Sequence, residues 1–270
     1  MMKIGFIGGG NMAGAMIGGM LKRGYGAGDI GVAEPSAERR STLATEFGVF
    51  LEASAATVLA SDLLILAVKP QVLRAVLASL PRLAQTTCVL SIAAGVRAGD
   101  IARWLQGHGA VVRAMPNTPA LVGAGIAGLY ALPGVSIEQK ARAEQALKAV
   151  GQVVWVADEA MIDAVTAISG SGPAYVFLFI EALEAAALEL GFAPGAARML
   201  ALHTVYGSAA LALQDGADPA VLRARVTSKG GTTERGIAAL EAHGLPRAVL
   251  AAARAAAARA KELGELLGAE

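Results

Sequence analysis

Hydrophobic positions along this chain follow two regimes. Up to about residue 157, short apolar runs alternate with stretches whose apolar residues recur every three or four positions. The runs Lys3–Ile7, Asp29–Ala33, Leu63–Val68, Thr87–Ile92 and Ala110–Ala114 predict strands. A short strand is expected at Val49-Phe50, and further strands near Gly125–Tyr130 and near Val153–Val156. The intervening pattern predicts helices over Asn11–Lys22, Ala37–Phe47, Ala55–Ala60, Val72–Leu80, Gly99–Leu105 and Ile137–Val150. Leu63–Val68 is apolar throughout, as a strand covered on both faces of a parallel sheet must be. Alternating β and α elements predict a doubly wound parallel sheet with an added edge.

From about Asp158 the strand pattern stops. Helices are predicted over Met161–Ile168, Ala174–Leu190, Pro194–Leu213 and Pro219–Arg225, then from Gly230 to His243 and from Pro246 to about Gly264. Ala174–Leu190 is apolar on nearly every side apart from Glu181, Glu184 and Glu189, which marks a helix buried in a larger assembly.

The first strand runs into Gly8-Gly9-Gly10, and a helix opens at Asn11. The pattern G-x-G-x-x-A falls on Gly8, Gly10 and Ala13, in the strand–turn–helix context that a dinucleotide-binding turn requires. Gly8 permits the turn, Gly10 lets a pyrophosphate approach the backbone, and Ala13 lets the helix pack closely on the strand. N–H groups at Asn11 and Met12 would face the anion at the positive end of the helix dipole. A glycine-rich turn without a ligand is the plain alternative. Glu34, at the end of the second strand, falls where an acid meets the adenosine ribose.

Ligands of open α/β sheets bind beyond the carboxyl ends of the strands, so Lys69-Pro70-Gln71, Ala93-Ala94-Gly95 and Met115–Pro119 are further candidates. Lys69 ends a buried run, where an ammonium needs an anion or carbonyls unless it snorkels to water. Asn117 lies between Pro116 and Pro119; a carboxamide held that rigidly suits a nicotinamide or its ribose, and a plain Asn turn suits the spacing equally. A second cluster, Val226–Thr233, places two glycines with Thr227, Ser228, Lys229, Thr232 and Thr233 ahead of a helix. Such N–H groups and hydroxyls form a nest for a small carboxylate, or an ordinary helix cap.

Composition narrows the class. The chain has 270 residues, 55% of them hydrophobic, so a sizeable core is within reach. Its net charge of +1, with no basic stripe interleaved with aromatics, gives no footprint for nucleic acid. Cys88 is the single cysteine and reads as a buried small hydrophobe in a reducing cytoplasm. The N-terminus enters a strand with no signal peptide, and no uncharged apolar run of membrane-spanning length is expected. His108, His203 and His243 lack metal-ligand spacing, so no metal site is expected, and neither a nucleophile elbow nor a P-loop occurs. A dinucleotide turn, an anion nest and no evident base point to hydride transfer onto an already electrophilic centre.

The stretches Gly5–Ala13 (GFIGGGNMA), Ala67–Gln71 (AVKPQ), Ser91–Gly95 (SIAAG) and Arg113–Ala120 (RAMPNTPA) resemble the pyrroline-5-carboxylate reductase family. So do Ser169–Tyr175 (SGSGPAY) and Val226–Glu241 (VTSKGGTTERGIAALE). The resemblance implies an α/β fold: an N-terminal doubly wound (Rossmann) dinucleotide-binding domain, residues 1–160, followed by an all-α C-terminal domain, residues 161–270, for substrate binding and dimerisation. It implies reduction of L-pyrroline-5-carboxylate to L-proline with NADP(H), or with NAD(H) as the alternative, in a homodimer that can assemble into decamers. By motif, Ile7, Gly8, Gly9, Gly10, Asn11 and Met12 would hold the pyrophosphate, and Ala67, Val68, Lys69 and Pro70 the nicotinamide side. Ala93, Ala94, Gly95 and Asn117 would complete the cofactor site, with Ser54 near the adenosine. Ser228, Gly231, Thr232 and Thr233 would bind the substrate carboxylate and ring nitrogen, Thr233 as the catalytic hydroxyl.

Lys229 stands where family members often carry proline. Glu34 disfavours a 2′-phosphate, which Ser36, Arg39 or Arg40 would have to receive. A dehydrogenase of another small imino or 2-oxo acid, and a dinucleotide-sensing protein without catalysis, are the competing readings.

Overall fold

The computed structural model describes residues 2–269. Eight strands form one sheet: β1 (Ile4–Ile7), β2 (Ile30–Ala33), β3 (Phe50–Glu52), β4 (Leu63–Leu66), β5 (Cys88–Ser91), β6 (Val111–Met115), β7 (Gly125–Ala131) and β8 (Gly151–Trp155). Their order is β3-β2-β1-β4-β5-β6-β7-β8. The first six pair in parallel, with Ile7 beside Ala33 on one side and beside Leu66 on the other. Strand order therefore reverses between β1 and β4, and the loops leaving those two strands part there.

Period-two alternation sorts the apolar runs onto two faces. Ile4, Phe6, Leu63, Ile65, Cys88, Leu90 and Val112 join one buried cluster, with Met16, Ile17 and Met20 of helix α1 (Asn11–Lys22) and Ala143, Ala146 and Leu147 of α5 (Ile137–Lys148). Ile7, Leu64, Leu66, Val89 and Val111 join the other, under α3 (Pro70–Ala78) and α4 (Ala98–Trp104). Helix α2 (Ala37–Phe47) begins on the capping hydroxyl of Ser36 and stops at Gly48, whose φ is +62°. Ser136 and Gln139 form a capping box that starts α5.

The last strands and the first C-terminal helices differ from expectation. Strand β7 runs antiparallel to β6, and β8 is parallel to β7. The short β6–β7 link holds only a turn of 3-10 helix at Thr118–Val122, whereas a parallel return needs a crossover of about a dozen residues or more. The chain between Met161 and Glu189 is also one helical path. Helix α6 (Met161–Val165) passes through a π turn, Thr166–Gly170, and α7 (Gly172–Glu189) follows directly. By length and composition alone, this path holds a stretch of 18 residues apolar enough to cross a membrane.

The remaining helices are α8 (Pro194–Asp215), α9 (Pro219–Arg225), α10 (Thr232–Ala242) and α11 (Leu245–Ala269). Helix α11 continues past the expected end at Gly264. The fold divides into two compact units: one carries the sheet up to Ser171 and takes in the chain again from Arg254, and the other is Gly172–Ala253. Within the second unit α7 packs on α8, where Ala197 and Ala201 are buried and Arg198 bridges to Glu184 at 3.1 Å. Apolar side chains of these two helices stay outside, among them Phe177, Leu178, Met199 and Leu213.

His108, just before β6, is buried; its Nε2 donates to the Thr87 carbonyl at 2.9 Å, while Nδ1 has no partner among the described residues. Burial lowers its pKa below the ordinary value, outweighing the opposing hydrogen bond to Thr87. The neutral ring is thus favoured in the fold, and the unfolded chain binds the proton first. The resulting stability is present above the unfolded value of about 6.5 and is lost as pH falls below it toward the folded value. Melting temperatures of the protein and of His108→Gln, followed from about pH 7.5 to about pH 5, test this. The variant is expected to lose less stability over that range, and parallel curves would contradict the assignment.

Candidate active site

The loops that leave β1, β2, β4, β5 and β6 all lie at the carboxyl ends of the parallel strands. After β1, Gly8 has φ +99°, and a Cβ there would come within 2.7 Å of the Ala67 carbonyl oxygen. Its N–H donates to Ala33 at 2.8 Å, and Ala67 N–H donates to Ile7 at 2.8 Å, so the turn is fastened to both neighbouring strands. Gly9 is buried; a Cβ there would meet Leu43 of α2. Gly10 is different: it is exposed, and nothing lies within 4 Å of where its Cβ would be. It also precedes α1 as an N-cap that offers no side-chain hydrogen bond. The first-turn N–H groups of Asn11 and Met12 therefore face an open cradle at the positive end of a helix, which fits a pyrophosphate.

The loop after β2 closes one side of this cradle. Glu34 accepts from Gly9 N–H at 2.8 Å and from Ser36 N–H at 2.9 Å. Arg39 Nε donates to the Gly9 carbonyl, and Arg40 donates to the Glu34 and Pro35 carbonyls at 2.7 and 2.9 Å. The Ser36 hydroxyl accepts from Arg39 N–H at 3.3 Å. Ser54 lies just past β3, exposed, its hydroxyl accepting from Ala56 N–H at 3.3 Å.

After β4, Ala67 and Val68 are half-buried and Pro70 opens α3 as its first residue. Lys69 is exposed, so the burial penalty that the apolar run suggested does not arise; its ammonium reaches water. After β5, Ala93 N–H donates to Ser91 Oγ at 3.3 Å, Ala94 is exposed and Gly95 is buried with φ +78°.

After β6, Asn117 is buried. Its Oδ1 accepts from Ile126 N–H at 2.9 Å, and its Nδ2 donates to the Ser169 carbonyl at 3.1 Å. The second bond has a covalent cause. Four residues after Ser169 stands Pro173, which has no N–H to complete a helical hydrogen bond, and the π turn shifts the pairing further. Asn117 supplies the missing donor and ties the β6–β7 loop to that turn.

Motif reasoning missed four residues. Arg113 is buried on β6 and pairs with Glu159 at 3.2 Å and Asp163 at 3.3 Å; Glu159 also accepts from Ala98 N–H at 2.7 Å, joining β6, α4 and α6. An arginine inside an apolar run was the available signal, since a buried guanidinium needs partners. The fourth is Glu234 in the second unit, where Gly230 has φ +73° and donates its N–H to Glu234 Oε2 at 2.7 Å. An acid at the third helical position after a cap is the recognisable pattern.

Gly231 is the N-cap of α10, again without a side-chain bond, and its N–H donates to the Ser228 carbonyl at 3.0 Å. Ser228, Thr232 and Thr233 are exposed around it. This turn brings together the sequence-predicted residues of the nest, with the exception of Thr227, whose hydroxyl is turned back to the Arg223 carbonyl at 2.6 Å.

Asn117→Ala would leave the Ile126 N–H and the Ser169 carbonyl without partners. It is expected to lower the unfolding free energy by about 2–4 kcal/mol in a urea titration, and a loss below about 0.5 kcal/mol would contradict the clamp.

Comparisons with known proteins agree with this geometry. Residues 159–263 match the family model described as pyrroline-5-carboxylate reductase dimerisation. Residues 3–95 match the model described as NADP oxidoreductase, coenzyme F420-dependent. The chain is 46% identical over 268 residues to a pyrroline-5-carboxylate reductase of Pseudomonas aeruginosa, covering 98% of each. It is 40% identical to that of Escherichia coli over 93% of this chain and 94% of the relative. Among solved structures, a pyrroline-5-carboxylate reductase from Coxiella burnetii superposes with a TM-score of 0.91 at 40% identity, over 97% of this chain and 98% of the other. One from Plasmodium falciparum, with NADP bound, gives a TM-score of 0.85 at 28% identity over the same shares. With a Rossmann-like sheet, a helical C-terminal part and relatives this similar over nearly its full length, the chain belongs to the pyrroline-5-carboxylate reductase family.

Proposed function

We propose that this chain reduces L-pyrroline-5-carboxylate to L-proline, the last step of proline biosynthesis, as an NAD(P)H-dependent oxidoreductase acting on a CH–NH group. The observation that carries this reading is the glycine turn, closed at Gly8 and Gly9 and open at Gly10, in a chain of this family. When bound, NADP(H) supplies the hydride that saturates the imine carbon.

The chain's own residues bind and orient. Ile7, Gly8, Gly9, Gly10, Asn11 and Met12 hold the pyrophosphate through backbone N–H groups. Ala67, Val68, Lys69 and Pro70 line the nicotinamide side, which Ala93, Ala94, Gly95 and Asn117 complete. Asn117 does so mainly by holding its loop, since two of its amide bonds go to the protein. Glu34, Ser36 and Ser54 serve the adenosine side. Glu34 is already lodged on Gly9 and Ser36 N–H groups, an acceptor suited to a ribose hydroxyl and repelling to a 2′-phosphate. Arg39 and Arg40 stand close enough in sequence and structure to balance that charge, which supports NADP(H) use with NAD(H) as a working alternative.

Ser228, Gly231 and Thr232 hold the substrate carboxylate at the start of α10, whose free first-turn N–H groups favour an anion. The Thr233 hydroxyl bonds the ring nitrogen and fixes its position. A protonated imine is the more electrophilic form, so the reaction needs orientation more than a strong general acid. Lys229 is exposed beside the nest and adds positive charge for the carboxylate.

Residues 1–160 form the dinucleotide-binding domain in this reading and residues 161–270 the substrate-binding and dimerisation domain. The match of residues 159–263 to a dimerisation model supports a homodimer built on the helical part, with decamers as its further assembly. The apolar side chains left outside on α7 and α8 support the same reading, in which a partner chain rather than lipid covers Met161–Glu189. A free, buried Cys88 suits a cytoplasmic protein.

Steady-state kinetics with L-pyrroline-5-carboxylate and each reduced cofactor test the proposal. Thr233→Ala is expected to lower kcat by about 10²-fold while the Kd for NADPH stays within about twofold. Full turnover in that variant, or no turnover in the unaltered protein, would overturn it.

A further inference from the structure

The C-terminal part of α11 lies on the loop that follows β5. Gly264 is buried, and a Cβ on it would come within 3.3 Å of the Gly95 carbonyl oxygen. Conversely, a Cβ on Gly95 would stand 3.3 Å from Leu267 Cδ1 and 3.4 Å from Leu263 Cβ. Two glycines facing each other let helix backbone rest almost directly on loop backbone, which no larger pair allows. Leu267 reaches further, into the apolar cluster under α3 and α4. The helix end is fastened beyond the loop as well, since Arg103 of α4 donates to the Gly268 carbonyl at 2.9 Å.

These contacts bear on Gly95 in particular. Its φ of +78° is a conformation with little intrinsic preference in an unsupported glycine loop, which would sample others freely. The helix covers the loop at Gly95, and Ala94 is its exposed member. The dimerisation match stops at residue 263, so Gly264 and Leu267 lie beyond it.

We propose that Leu263, Gly264 and Leu267 are positioning residues that hold the Ala93–Gly95 loop in its cofactor-receiving conformation. This rests on the reading that the loop borders the cofactor. A loop fixed in advance loses less conformational freedom on binding, so loosening it weakens the cofactor without touching it.

The test uses the full-length protein and three measurements: amide hydrogen exchange at Ala93–Val96 without cofactor, the NADPH Kd by fluorescence titration, and the KM for L-pyrroline-5-carboxylate. Leu267→Ala is expected to speed exchange in the loop about tenfold and to raise the NADPH Kd roughly five- to tenfold, with KM for the imine within about twofold. Leu267→Met, which refills the contact, should restore both. Leu263→Ala is the milder second variant if Leu267→Ala does not fold, because Leu263 is 37% exposed. Unchanged exchange, or faster exchange with an unchanged Kd, would overturn the proposal, as would a fall in melting temperature alone. Ala94→Leu, at the exposed member of the loop, separates this from the underlying reading. If it weakens NADPH while Leu267→Ala does not, only the positioning role fails; if neither does, the loop does not border the cofactor.

Discussion

Two α-helices in this protein start on a glycine that has no side chain with which to cap them. Gly10 precedes α1 and Gly231 precedes α10, and neither offers a side chain to the first-turn N–H groups. A helix start in that condition carries unmet donors and a partial positive charge, which an anion satisfies better than water does. A pyrophosphate and a small carboxylate are the two anions that the proposed reaction brings together. Both turns use glycine for a physical reason. Gly8 and Gly230 take left-handed conformations, and at Gly231 a Cβ would stand 2.5 Å from Ser228 Oγ.

The sheet turns the first helix start into a site. Parallel strands send their loops to one end, and the reversal of order between β1 and β4 parts the Gly8–Asn11 turn from Ala67–Pro70. Polar side chains then hold three segments of this region. Glu34 anchors Gly9, Asn117 anchors the β6–β7 connection, and Arg113 gathers Glu159 and Asp163. The buried Arg113 cluster is costly to dehydrate and costly to break, so its role is placement more than net stability.

Much of this was legible along the chain. The apolar runs became buried strands because their alternation feeds two faces at once, as Ile65 and Leu66 show by entering different clusters. The glycine turn and the Ser228–Thr233 nest were readable because both are local in sequence. What escaped reading depends on residues far apart. The bond from Asn117 to Ser169 spans 52 positions, and its cause, a proline without an N–H four residues on, shows only once the helix path is known. The direction of β7 follows from the length of one link. The end of α11 was placed at Gly264 because glycine ordinarily stops helices, whereas here it marks close packing on Gly95.

Gly10→Val is the most direct test of the open cradle. The added side chain starts where no protein atom lies within 4 Å, so the fold and melting temperature should hold. NADPH affinity, measured by titration, should fall by at least about 10²-fold, as expected when a branched side chain fills the place of the pyrophosphate. A valine variant that bound NADPH as tightly as the glycine protein would contradict the account.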